Sequence, residues 1–150
     1  MSTNMNATTA ERITVLDFLA PAANTSARNT AWIKADKWRL LRLLFLAGPS
    51  TAAGTLRVRR ASDDSGTGAE NASATIAWGG TSTTGDDEIT TFDIDPLVYA
   101  TDAKPYLGVQ ISATAGSTSA AVLEGWAHRY LPGDLDNADD VNIESAPDVA

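Results

Sequence analysis

The chain has 150 residues, a net charge of −8, one histidine and no cysteine. That length fits one domain with tails and buries roughly 68–70% of the unfolded surface, so folding requires neither a metal nor a disulfide. Without cysteine, disulfide scaffolds, thiolate zinc sites and a cysteine nucleophile are excluded.

Ala, Thr, Ser, Gly and Asp are abundant, while Lys and Glu are scarce. Thr suits strands, and Gly, Ser and Asp suit turns, so an all-β domain is expected. No apolar run approaches the roughly 18 residues of a spanning helix, and no membrane partner is expected. The opening MSTNMNATTAER has neither a basic region nor an apolar stretch and is not expected to act as a secretory signal. The charge is unevenly placed. Six acids and no base lie between Gly133 and Ala150, whereas the remainder holds 13 acids against 11 bases. Such a tail reads as solvated or partner-binding, and an acidic chain argues against direct nucleic-acid contact, which needs clustered Lys and Arg.

In chain order, residues 1–11 read as a flexible N-terminal arm, 12–132 as the folded domain and 133–150 as the acidic C-terminal tail. Arg12 to Ala20 has strand character, with Ile13, Val15 and Asp17 on one face and Thr14, Leu16 and Phe18 on the other. Pro21 is expected to end it, with a loop from Ala22 to Asn29. Thr30 to Ala35 reads as a short strand anchored by Trp32. Trp38 to Ala47 is the longest apolar run, broken only by Arg39 and Arg42. Trp38, Leu41 and Phe45 also fall at helical spacing. A strand is preferred because the neighbouring runs are strand-like and Gly48-Pro49 stops the run early. Apolar on both sides, it reads as a central strand buried on both faces.

Thr55 to Ala61 is expected to return as its hairpin partner, Leu56 and Val58 inward and Arg57 and Arg59 outward, followed by the mobile loop Ser62 to Gly68. Ser73 to Trp78 is the next strand and Gly79 to Asp87 a loop. In Glu88 to Asp95, Ile89, Thr91 and Asp93 share one side and Thr90, Phe92 and Ile94 the other. Leu97 to Thr101 reads as a short turn or one helical turn. Tyr106 to Thr114 places Leu107, Val109, Ile111 and Ala113 inward, and the turn Ala115 to Thr118 leads to a return strand from Ser119 to Leu131. About eight strands with regular turn signals form the pattern of a single β-sandwich or jelly roll.

No catalytic or metal motif accompanies this pattern, and no cofactor is expected. His128 shares a strand face with Trp126 and Tyr130, but no G-x-S-x-G elbow is present to hold a nucleophile. An aromatic-lined structural or interface position suits it better, and the protein is not expected to be an enzyme. The loop Asp63 to Gly68 lacks the ligand order of an EF-hand and reads as a turn bonded to its own backbone. Gly48 to Thr55 has no lysine and is one residue too long for a phosphate loop. Arg57, Arg59 and Arg60 form the only basic cluster, suited to carboxylates of a neighbouring subunit or of the tail.

The runs AGTLRVRRASDDSGTGAENA and ISATAGSTSAAVLEGWAHRYLP resemble small structural proteins of tailed bacteriophages. The matching elements are Ala53 to Val58, the loop Ala61 to Ala69, the strand entry Asp86 to Ile89 and the closing Arg129 to Pro132. The resemblance implies a virion protein of capsid-decoration (cement) type on the capsid surface, assembled in the host cytoplasm. Its implied partners are the major capsid protein and further copies of itself, with a trimer among the options. Candidate interface residues are Trp32, Arg57, Arg59, Arg60, Asp63, Asp64, Trp78, Trp126 and His128. The competing expectations are a carbohydrate-binding host-attachment module that stacks sugars on Trp78 or Trp126, and a tail or head–tail joining component.

Overall fold

The computed structural model describes residues 13–50, 52–79, 89–112, 114 and 116–126. The expected arm 1–11, the acidic tail 133–150, most of the loop 79–87, Ala113 and His128 lie outside the described residues.

The described residues form ten strands: β1 (Ile13–Ala23), β2 (Arg28–Asn29), β3 (Ile33–Lys34), β4 (Leu40–Ser50), β5 (Ala53–Ala61), β6 (Glu70–Asn71), β7 (Ile76–Gly79), β8 (Ile89–Ile94), β9 (Tyr106–Ile111) and β10 (Ser117–Trp126). One 3-10 turn, Ala35–Lys37, and one helical turn, α1 (Pro96–Tyr99), complete the described elements. Asp95 caps α1 by accepting from the backbone N–H of Leu97.

The strands form two antiparallel sheets. One has the order β1-β10-β4-β8. In the other, β2 and β3 both pair with β9, β9 pairs with β5, and β5 pairs with both β6 and β7. Counting β2 with β3 and β6 with β7 as interrupted strands leaves eight, arranged as two interleaved four-strand layers. That is the jelly-roll arrangement. The expected all-β sandwich is therefore the observed fold.

Two expected hairpins are absent. β4 and β5 are joined by only two residues yet lie in different sheets, as do β9 and β10. Turn residues mark a reversal of direction but not the sheet to which the chain returns. Within the expected core hairpin only the second half holds: Ser62 to Gly68 joins β5 to β6 in one sheet.

β4 is a strand, central in its sheet between β10 and β8. It runs through Gly48 and Pro49 to Ser50 instead of stopping at Gly48. Leu41, Leu43, Phe45 and Ala47 are buried, while Leu40, Arg42 and Leu44 are half-buried and Leu46 is exposed. The strand is thus apolar on both faces but covered by the opposing sheet on only one.

β1 likewise continues past Pro21 to Ala23. Among the described residues it is an edge strand, and Pro21 lies in the register break between Leu19 and Ala22, where a missing N–H is tolerated. A second break between Val15 and Asp17 inverts the alternation. Thr14 and Leu16 share the buried face, but Phe18, expected on the same face, is carried to the outside.

The core lies between the sheets: Leu41, Leu43, Phe45, Leu123 and Ile94 from one, Leu56, Val58, Leu107, Val109 and Ile111 from the other. Leu56 and Val58 of β5 and Leu107, Val109 and Ile111 of β9 are inward as expected, and on β8 the Thr90, Phe92 and Ile94 side is the one turned to the core. Trp38 caps one end, and a Cβ at Gly125 would lie 2.4 Å from its ring. Asn24, only 1% exposed, secures the other end. Its amide donates to Ser117 Oγ at 3.0 Å and accepts from Ser119 Oγ at 2.9 Å, tying the end of β1 to the start of β10.

Candidate interaction surface

The outer face of the four-stranded sheet is assembled from alternate residues of four strands. Register sets Phe18, Val122, Leu44 and Thr91 side by side in one row, and Ala120, Leu46 and Ile89 in the next. Phe18 is 39% exposed, Leu46 37% and Ile89 69%. The opposite outer face of the sandwich carries Thr55, Arg57 and Arg59 beside Gln110 and Gly108. One face of the molecule is apolar and the other polar. Exposed apolar side chains gathered on one sheet face make that face the candidate interaction surface.

A charged row crosses this apolar face. Glu124, Arg42 and Asp93 are register neighbours on β10, β4 and β8. Arg42 donates through Nε to Asp93 Oδ1 at 2.7 Å and through its terminal nitrogen to Oδ2 at 3.2 Å. Its guanidinium also lies 4.7 Å from the ring centroid of Trp126, whose Nε1 donates to Glu124 Oε2 at 3.0 Å. The hydrogen bonds from Arg42 hold the Asp93 carboxyl below the usual carboxylate range, and the same contact raises the Arg42 guanidinium. The row is therefore internally matched and offers few free charges to a partner.

The candidates read from sequence do not form one site. Trp126 belongs to the apolar face. Trp78 is a core residue, 6% exposed, with its ring 5.0 Å edge-on from Phe45. It is not a surface platform, because a Cβ at Gly54 would lie 2.4 Å from the ring it packs against. His128 lies outside the described residues.

Trp32, Arg57, Arg59, Asp63 and Asp64 gather on the six-stranded side. The indole of Trp32 lies against Gly108 of β9 and against Gly66 of the β5–β6 loop. Arg59 donates to the carbonyl of Ala69 at 3.4 Å, and its Nε is buried with no partner among the described residues. Arg60 finds its carboxylate within the chain, on Glu70 at 2.7 Å, and Lys104 meets the other oxygen at 2.6 Å. Those two cations hold the Glu70 carboxyl below its ordinary value. Asp63 Oδ1 accepts from the backbone N–H groups of Ser65 at 3.0 Å and Thr67 at 2.9 Å. The Thr67 bonds, side chain foremost, lower its pKa. The loop is a self-bonded turn seated on Trp32.

Among the described residues no cluster of three His, Cys, Asp or Glu is placed to hold a metal. A small, partly open pocket of about 20 Å³ is lined mainly by apolar side chains, Leu43, Leu56, Ile76, Phe92 and Val109, with Arg57 the one charged residue beside it. A surface cleft of about 260 Å³ lies beside Trp32, Lys34, Lys37 and Tyr106.

Phe18, Leu44, Leu46, Ile89 and Val122 were not marked as functional by sequence reasoning. The one available signal was the double-sided apolarity of β4, which exceeds what a single inter-sheet core can cover. No protein-family model matches this chain, and no curated protein matches it.

Proposed function

We propose that this chain is a non-enzymatic virion structural protein that decorates and stabilises a bacteriophage capsid, docking on the major capsid protein through the outer face of its four-stranded sheet. The observation that carries the proposal is the apolar face of Phe18, Leu44, Leu46, Val122 and Ile89, set against a polar face on the other side of the sandwich. The jelly roll adds support as an architecture of viral capsid domains, although lectins and cupins share it and fold alone does not assign function. The resemblance of Ala53 to Ala69 and of Ile111 to Pro132 to small phage structural proteins points the same way.

A decoration protein must stay soluble alone and hold a shell at many symmetric sites. A sandwich with an apolar sheet face of modest size meets both needs, since weak contacts repeated around a shell act together. A sugar-binding module would use exposed aromatic platforms. Trp78 is buried, and one face of Trp126 is occupied by Arg42.

The test is the position and copy number of the protein in purified particles. Density over the outer shell at a fixed ratio to the major capsid protein supports decoration. Density confined to the tail or to the single vertex where the tail attaches would assign it instead to tail or joining structures.

A further inference from the structure

The four-stranded sheet ends differently on its two sides. β1 breaks register twice and contains Pro21, devices that keep an edge from pairing with another chain. β8 has none of them. It pairs with β4 without a register break from Ile89 to Ile94, contains no Pro, Gly or Lys, and among the described residues pairs with β4 alone. Its one charged residue, Asp93, is held by Arg42 of its own sheet. Among the described residues no strand pairs with the peptide groups on its far side.

We propose that β8 pairs antiparallel with β8 of a second copy of this chain about a two-fold axis at Thr91, joining two four-stranded sheets into one of eight. Opposed residues of an antiparallel pair share a face. Only an axis through a residue therefore keeps Thr90, Phe92 and Ile94 of both copies over their cores and Ile89, Thr91 and Asp93 outside. With the axis at Thr91, that residue faces its own mate and Ile89 faces Asp93. No two carboxylates meet, and each Asp93 keeps its Arg42. The row of Phe18, Val122, Leu44 and Thr91 then runs on into the same row of the second copy, while the Ala120, Leu46 and Ile89 row of each copy meets the Asp93, Arg42 and Glu124 row of the other.

The pairing goes beyond the decoration proposal and stands whether or not that proposal holds. A six-residue strand is only about 20 Å long, so the seam alone falls short of a standard stable interface. A dimer that is weak in solution and reinforced on a surface with matching symmetry follows.

The natural absence of cysteine makes the test direct. Single variants Thr91→Cys on the edge, Ala120→Cys at the centre of the apolar face, and Ser26→Cys on the exposed connection between β1 and β2 are each oxidised mildly at high protein concentration. Circular dichroism confirms that each is folded. Thr91→Cys is expected to form disulfide dimers several-fold faster than either control, and Thr91→Lys is expected to shift sedimentation of the otherwise unaltered chain toward monomer. Fastest trapping of Ala120→Cys would show face-to-face packing and overturn the edge pairing. Equal trapping of all three, or sedimentation unchanged by Thr91→Lys, would overturn it as well.

Discussion

Gly66 lies directly beneath the indole of Trp32: a Cβ at this position would come 2.4 Å from Trp32 Nε1, and the residue adopts φ +82°. Both facts demand glycine, one for space and one for backbone conformation. The loop that the sequence presented as a mobile tip is therefore a seated one. Gly66→Ala is expected to destabilise the protein by about 1–3 kcal/mol from backbone strain, with the displaced indole adding to the loss. Gly68 has φ +60° but nothing within 4 Å, so Gly68→Ala should cost only about 1–2 kcal/mol. Thermal unfolding of both variants checks the order. Equal losses would mean that Trp32 does not clamp the loop.

Leu43 and Leu44 are sequence neighbours with opposite duties. Leu43 is 1% exposed in the inter-sheet core, and Leu44 stands in the row between Val122 and Thr91 on the outer face. Leu43→Ala is expected to cost about 2–5 kcal/mol through lost burial and a cavity. Leu44→Ala should cost clearly less, because the removed atoms face outward. Chemical denaturation separates the two; a Leu44 loss as large as that of Leu43 would mean that the outer face is covered within the monomer.

Three carboxylates have lowered pKa values: Asp93 through Arg42, Glu70 through Lys104 and then Arg60, and Asp63 through Thr67. A lowered folded-state value means that the unfolded chain binds protons first as pH falls. The stabilisation from these groups is therefore complete above the unfolded carboxylate value of about 4 and is lost as pH drops through the folded values below it. Melting temperature should be flat from neutral pH to about 4.5 and fall below that. Because the pairs are largely exposed, added salt should shrink the contribution of Asp93 and Glu70. Asp93→Asn should flatten part of the acid limb. An acid limb unchanged in that variant would place the titration elsewhere.

Arg42 holds Asp93 and covers Trp126 at once. Arg42→Ala is expected to release both, raising the pKa of Asp93 toward its ordinary value while leaving the fold intact. Titration of the Asp93 carboxyl by NMR reads this directly. An unshifted carboxyl would assign its low pKa to a group other than Arg42.

Strand identity was legible in the sequence because alternation survives local reading. Leu56 and Val58, Phe92 and Ile94, and Leu107, Val109 and Ile111 point inward as their spacing implies. Sheet membership was not legible, because Gly, Pro and Ser signal a turn equally well within a sheet or between two. The short link from Ser50 to Ala53 looks like a hairpin and is a crossover. Phe18 was misplaced by a register break that no residue type announces. The functional candidates followed chemistry-bearing residues, Trp, Arg and His. The surface that emerged is made mainly of Leu, Val, Ile and Phe, which in a sequence look like core.

The proposed docking joins the apolar outer face of the four-stranded sheet to a capsid. Purified protein added back to heads that lack it measures this most directly, comparing the natural chain with the Leu44→Glu/Leu46→Glu variant after the variant's fold has been verified. The natural chain should bind saturably and raise the heat resistance of the heads, and the folded variant should do neither. Equal binding by both, or no binding by the natural chain, would contradict the claim.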